Sequence, residues 1–256
     1  MKLRIIPLDL GDGVVDKSLH LLRRGMGEKV PTKFMAFLIE GTEAKILVDA
    51  GPPLDVEKVT KYHPYVNLTR SPMQMIEARL ASIGIKPEDI DIVIFTHLHW
   101  DHVGTVKKFT NAEFIVSKEE YRFALDPIPP LYVAYEHLTL GIKPEFLEVA
   151  FTTVRGEKEI AKGVNVFPTP GHTPGHQSVA VETDNGTYVI AGDAVPSYEN
   201  LKGEPGLKQP YIVSGIYVNM IDFWESIAKI HEIVGKDIYR VLPGHDPNVM
   251  RKKEYP

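Results

Sequence analysis

The segment Thr96-His97-Leu98-His99-Trp100-Asp101-His102 constrains this chain more than any other. Three imidazoles and one carboxylate fall within six positions, directly behind the apolar run Ile90-Asp91-Ile92-Val93-Ile94-Phe95. That run is short and rich in β-branched residues, the pattern of a buried strand. A strand ending near Thr96 presents His97 and His99 on one side, because alternate residues of an extended chain share a face. Asp101 and His102 then sit on the loop just beyond. Imidazole and carboxylate together suit zinc, manganese or iron, and so short a segment can serve two neighbouring ions. Unrelated surface histidines do not gather at this spacing.

Further ligand-type residues lie far along the chain but repeat the same local grammar. His172 belongs to Thr169-Pro170-Gly171-His172-Thr173-Pro174-Gly175-His176, which follows the strand-like Val164-Asn165-Val166-Phe167. Asp193 follows Tyr188-Val189-Ile190-Ala191-Gly192, and His245 follows Tyr239-Arg240-Val241-Leu242-Pro243-Gly244. Each time an apolar run ends in a glycine-containing turn and then offers a metal-binding side chain. Such a site belongs at the strand ends of a sheet scaffold, where loops carry the chemistry.

Length and composition frame that site. The 256 residues, 43% hydrophobic and 25% charged, fit a single catalytic domain spanning 1–256. No apolar run approaches the length of about 18 residues that a membrane span needs. The start, Met1-Lys2-Leu3-Arg4-Ile5-Ile6-Pro7, is too short an apolar stretch for a signal peptide, so a cytoplasmic location is expected. A net charge of −5 without a basic run argues against nucleic acid and membrane as partners and leaves a small-molecule substrate. With no cysteine, disulfides, a thiolate nucleophile and thiolate metal ligands are all excluded. The 20 prolines and three glutamines point towards a thermostable protein.

Periodicity places strands at Leu3–Leu8, Lys33–Glu40, Lys45–Asp49, Ile90–Phe95 and Glu113–Val116. A helix is predicted from Ser71-Pro72 to Gly84, with Met75, Ile76, Leu80 and Ile83 as its apolar stripe. A second helix is expected near Lys118–Leu125. Ser178–Glu182 and Thr187–Ile190 flank Asp184-Asn185-Gly186 as a hairpin. A long helix should cover Met220–Val234 and stop at Gly235. Strands alternating with helices in both halves describe a layered α/β protein. Pro52–Pro72 and Asp126–Pro144 read as long loops shaping access to substrate, and the second equally suits the subunit face of a homodimer.

The ligand pattern His97-x-His99-x-Asp101-His102, with His172, Asp193 and His245, resembles that of the metallo-β-lactamase superfamily. Asp49-Ala50-Gly51 resembles that superfamily's first aspartate turn. The resemblance runs from about Lys33 to His245. Within the superfamily, Gly51–Gly84 and Leu242-Pro243-Gly244-His245-Asp246-Pro247 look most like the N-acyl-homoserine lactonases. The resemblance implies an αββα sandwich and two divalent metal ions, zinc first, with iron, cobalt or manganese as alternatives. It assigns His97, His99 and His172 to one ion, Asp101, His102 and His245 to the other, and Asp193 to both. Asp49 and His176 are then expected to support the ligands rather than bind metal. The implied reaction is hydrolysis: a hydroxide shared by the ions attacks the acyl carbon and opens a lactone, and Asp101 passes a proton to the leaving alkoxide. His99 stands where flavodiiron-type oxygen-reducing relatives carry Glu, which favours hydrolysis over redox chemistry. The alternative is another hydrolase of the superfamily, such as a glyoxalase II-like thioesterase or a phosphodiesterase.

One position departs from the lactonase pattern. Lactonases place a tyrosine three residues after the bridging aspartate, whereas this chain has Pro196 there. Proline offers no hydrogen-bond donor from side chain or backbone. Either Tyr198 is the replacement as a catalytic donor, with Ser197 as a further candidate, or metal polarisation of the carbonyl suffices alone. Trp100, Ile216 and Tyr217 are expected at the substrate wall, with Met26, Met35 and Met73 as possible acyl-chain contacts. His20, His137 and His231 read as surface or packing residues. His63 lies in the aromatic loop that could touch substrate.

Overall fold

Eleven strands form two sheets in the computed structural model, which describes residues 2–256. The first sheet runs in chain order: β1 Arg4–Asp16, β2 Lys29–Glu40, β3 Ile46–Val48, β4 Ile92–Ile94, β5 Glu113–Ser117 and β6 Phe151–Val154. The second comprises β7 Lys158–Ala161, β8 Val164–Pro168, β9 Gln177–Thr183, β10 Gly186–Gly192 and β11 Val241–Pro243, and its spatial order is β11-β10-β9-β8-β7. Strands β3 to β6 pair in parallel, as do β10 and β11, and parallel neighbours require long crossovers. Those crossovers carry the helices and the ligand loops.

Apolar residues on both faces of the strands explain the layering. On β2, Phe37 and Ile39 join the core between the sheets, where they meet Val166, Val179, Val189 and Leu242 of the second sheet. Their neighbours Ala36 and Leu38 face the opposite side, against Ile76, Leu80, Phe109 and Ala124. The helix Met220–Val234 packs on β10 and buries Phe223, Ile227 and Ile230. The result is the αββα sandwich. Among the described residues no helix is long and apolar enough to cross a membrane.

Local rules account for the hairpin and the long helix. Thr183 pairs with Gly186 across the Asp184-Asn185 turn, and Gly186 takes φ +101°, a value open chiefly to glycine. The Asn219 side chain caps the long helix by accepting from the backbone N–H groups of Ile221 and Asp222.

Three expectations change in the fold. Strand β1 continues past Leu8 to Asp16, with an irregularity between Asp9 and Gly11. Its polar Asp-Gly stretch stays in the sheet because Lys33 pairs with Asp9 and Asp12, both at 2.6 Å, and Gln74 donates to both carboxylates. The single helix expected over 71–84 divides into a 3-10 turn, Pro72–Gln74, and an α-helix, Ile76–Ala81, because Met75 is extended at ψ 138°. The loop after Pro52 contains the helix Val56–Tyr62, capped by Asp55.

Candidate metal centre

The C-terminal ends of β4, β8, β10 and β11 converge. The chain leaves β4 through Phe95 and Thr96 into the His97–His102 loop; His172 follows β8, Asp193 follows β10 and His245 follows β11. Three groups of ligand atoms lie within 4.8 Å of one another: His97, His99 and His172; His97, His102 and Asp193; Asp101, His102 and His245. Asp193 joins the halves. Its Oδ1 lies 3.0 Å from His245 Nε2 and 3.3 Å from His102 Nε2, and its Oδ2 lies 3.3 Å from His172 Nε2. Asp101 Oδ2 stands 3.6 Å from His245 and 3.8 Å from His102.

The outer nitrogens of these rings are held by oxygens. His102 Nδ1 donates to Asp49 Oδ2 at 2.8 Å, His172 Nδ1 to the Ile216 carbonyl at 3.0 Å, and His245 Nδ1 to the Lys33 carbonyl at 2.8 Å. Carbonyl and carboxylate oxygens only accept, so these Nδ1 atoms carry a proton and Nε2 is the atom that each ring turns inward. His97 Nδ1 is 3.1 Å from the Thr96 hydroxyl. His99 turns the other way, with its Nδ1 3.0 Å from His172 Nε2.

Inward lone pairs facing a carboxylate at such distances repel unless a cation lies among them. His97 Nε2, His102 Nε2 and Asp193 Oδ1 are buried without a hydrogen-bond partner among the described residues, an expensive state for polar atoms. Nitrogen and oxygen donors so arranged fit divalent ions. Burial, reinforced by neighbouring imidazoles, holds His97 and His99 well below the usual histidine range, in the neutral form that ligates. Burial would also lower His102, but Asp101, Asp49 and Asp193 outweigh it and raise that ring well above the usual range. The carboxylates thus create a strongly negative field, the natural seat of a cation.

His176 and Asp49 brace the clustered side chains from behind. His176 Nε2 accepts the Asp193 backbone N–H at 3.1 Å, while its Nδ1 lies 2.9 Å from the Thr169 hydroxyl, so both nitrogens are engaged. A side chain on Gly192 would come within 2.8 Å of His176 Nε2, and Gly192 sits at φ +53°. Glycine alone lets the strand pass so close. Asp49 accepts from the Thr96 backbone N–H at 2.8 Å as well as from His102.

A pocket opens over this cluster. Trp100, Phe34, Leu131 and Ile216 line it together with Asp101, Asp193 and Pro196. Tyr217, expected beside Ile216, is exposed and is not among the lining residues. Met26 and Met73 are exposed and Met35 is in the inter-sheet core, so the methionines do not form the wall. Tyr198 is also placed away from the pocket. It is the first residue of the helix Tyr198–Lys202, packs against Tyr239 at 5.4 Å, and lines a separate cavity with Arg251 and Tyr255. The helix start turns its ring away, so Tyr198 does not replace the donor missing at Pro196. The Ser197 hydroxyl donates to Asn200 at the same helix start.

Neither Glu120 nor His20 is legible as a site residue in the sequence, whereas His63 lies in a loop already expected near substrate. Glu120 is wholly buried and accepts from the Leu98 backbone N–H at 3.0 Å, the Tyr135 hydroxyl at 2.9 Å and the Thr173 hydroxyl. It therefore ties the His97–His102 loop to the His172 loop. Its only local signal, Ser117 three residues earlier, reads as an ordinary helix start. His20, which read as surface or packing, stacks on His245 with ring centres 6.0 Å apart. His63 is buried and stacks on Trp100 at 4.1 Å, with its Nδ1 3.3 Å from the Tyr65 hydroxyl. Tyr65 is 48% exposed, and partial burial of its hydroxyl end, aided by Asp101's charge, pushes the phenol up to about 12.

Fold and donor set together define a metal-binding hydrolase scaffold. The family pattern of the metallo-β-lactamase superfamily matches residues 35–245, and the chain belongs to that superfamily. An N-acyl homoserine lactonase of a Bacillus species is 31% identical over 86% of this chain and 84% of its own length. A second, from Agrobacterium fabrum, is 26% identical over 93% of this chain and 92% of its own. Among solved structures, an N-acyl homoserine lactone hydrolase with the product N-hexanoyl-L-homoserine at its catalytic metal centre superposes with a TM-score of 0.79. It is 25% identical, and the match covers 98% of this chain and 96% of that one.

Proposed function

We propose that this protein hydrolyses N-acyl-homoserine lactones. Its metal ions, zinc foremost, would be held by His97, His99 and His172 on one side and Asp101, His102 and His245 on the other. The observation that carries this reading is Asp193, whose two oxygens reach ligand atoms of both groups. Bound there, two divalent ions supply Lewis acidity towards a carbonyl and a water acidified to a pKa near 7. Asp101 faces the pocket, and burial raises its carboxyl despite His102 and His245. With one oxygen turned to an ion, its other oxygen would be left to pass a proton to a leaving alkoxide.

The pocket suits the substrate's other parts. No Lys or Arg is among its lining residues, which favours a neutral lactone over a phosphodiester. Phe34, Trp100, Leu131 and Ile216 offer an apolar wall for an acyl chain. The test is a substrate panel on protein reconstituted with zinc or cobalt: N-hexanoyl-homoserine lactone, S-lactoylglutathione, a phosphodiester and a β-lactam. Lactone opening should dominate. Dominant thioester or phosphodiester turnover by the fully loaded protein would end this reading.

A further inference from the structure

The pocket contains three hydroxyl groups, and only one has a proton to spare. The Ser214 hydroxyl donates to the Leu19 carbonyl at 2.7 Å. Thr32 Oγ lies 3.5 Å from both the His245 carbonyl and His20 Nε2, and the carbonyl can only accept. Tyr65, which lines the same pocket as Asp101, has His63 Nδ1 as its hydroxyl's partner among the described residues, at 3.3 Å.

Which of that pair donates follows from burial. His63 is 1% exposed, and its Nε2 has no partner among the described residues. A buried N–H left unpaired is rarer and costlier than an unpaired lone pair. Burial, with the nearby Lys58 cation, keeps the ring neutral, so only one of its nitrogens carries a proton. The proton therefore resides on Nδ1, which donates to the Tyr65 oxygen. That leaves the Tyr65 O–H free to turn into the pocket.

We infer that the Tyr65 hydroxyl is the hydrogen-bond donor to the substrate's ester group, delivered from the loop after β3 in place of the donor absent at Pro196. His63 is its positioning residue: it fixes the phenol by the Nδ1–H bond and is itself fixed by stacking on Trp100. The inference rests on the lactone hydrolase reading and adds to it the group that steadies the oxygen on which charge develops. Such a donor acts on the transition state more than on the bound substrate, so its loss appears in kcat.

The experiment compares parent, Tyr65→Phe, His63→Phe and His63→Asn under equal zinc loading, with metal content, melting and steady-state kinetics on N-hexanoyl-homoserine lactone. Tyr65→Phe should lower kcat on the order of 10²-fold, the low end for a preorganised donor, with KM and metal content near the parent's. His63→Phe keeps the stacked ring but not the N–H and should lose part of that rate. His63→Asn restores an N–H near the Nδ1 position and should recover it. Parental kcat in Tyr65→Phe overturns the inference. So does a kcat loss matched by metal loss, which would make Tyr65 a support for the metal loop. Should the parent open no lactone, the functional reading fails separately. Tyr65→Phe is then compared on whichever panel substrate the parent cleaves, where an unchanged kcat overturns the donor role.

Discussion

His102 Nδ1 donates to Asp49 Oδ2 at 2.8 Å, and Asp49 makes this bond from a backbone held at φ +61°. That left-handed conformation is uncommon for a residue with a side chain, though Asn and Asp tolerate it best. The turn after β3 therefore spends backbone strain to aim a carboxylate at the ring of a ligand.

Asp49→Ala should weaken metal binding about 10- to 100-fold, the usual effect of removing a group that orients a metal-binding histidine. Asp49→Asn keeps a residue suited to the left-handed turn, so its melting temperature should fall less than that of Asp49→Ala. Its metal affinity should still drop. Competition titration with a chromogenic chelator reads the affinity, and parental affinity in both variants would contradict the role given to Asp49.

Glu120 links loops that are distant in sequence, and its removal should be felt in stability before chemistry. Glu120→Ala leaves the Leu98 N–H and the Tyr135 and Thr173 hydroxyls unpaired in a dry interior. Each such group costs about 1–3 kcal/mol, so the variant should lose several kcal/mol in urea denaturation. A loss below about 1 kcal/mol would mean that water or a repacked neighbour replaces the carboxylate.

Glu120 also marks the limit of what the sequence discloses. The seven candidate ligands are legible because four stand within six positions and the rest follow apolar runs and glycine turns. The helix Met220–Val234 was legible from its period and from Gly235. Glu120, by contrast, looks like a solvated charge in the first turn of an exposed helix, and only tertiary contacts turn it inward. Strand β1 runs past the expected Leu3–Leu8 because Lys33, on another strand, pairs with Asp9 and Asp12, a contact that periodicity does not carry. Tyr198 departs for a similar reason: it is two residues along the chain from Pro196, but a helix begins there and its ring lines another cavity.

Acid should destabilise the protein through its buried neutral histidines. Burial lowers His63 to about 3, with help from Lys58, and lowers His176 to about 3 and His20 to about 4. A depressed histidine pKa means that the unfolded chain takes up the proton first as pH falls. The contribution is therefore intact above the ordinary value of 6.5 and is lost progressively towards 3–4. Each group adds a slope of up to about 1.4 kcal/mol per pH unit within that window. Urea melts of zinc-loaded parent and His63→Phe from neutral pH downwards isolate one of the three. The parent should lose stability more steeply, and identical slopes would show that His63 titrates normally.

His172 and His176, four residues apart, should behave differently on truncation. His172 Nε2 points at Asp193 and His99, whereas both nitrogens of His176 are occupied by Thr169 and the Asp193 backbone. His172→Ala removes a ligand and should reduce bound metal towards one ion per chain, with turnover lower by several orders of magnitude. Asp193→Asn, losing the charge that faces both groups, should do the same. His176→Ala frees only the backbone of Asp193, so it should retain both ions at saturating zinc and lose far less activity. Because these ligands come from both halves of the chain, chelation should lower the melting temperature of the parent, and zinc should restore it. Elemental analysis beside lactone turnover decides the assignment: equal loss of metal in His172→Ala and His176→Ala would make His176 a ligand and overturn the division drawn between them.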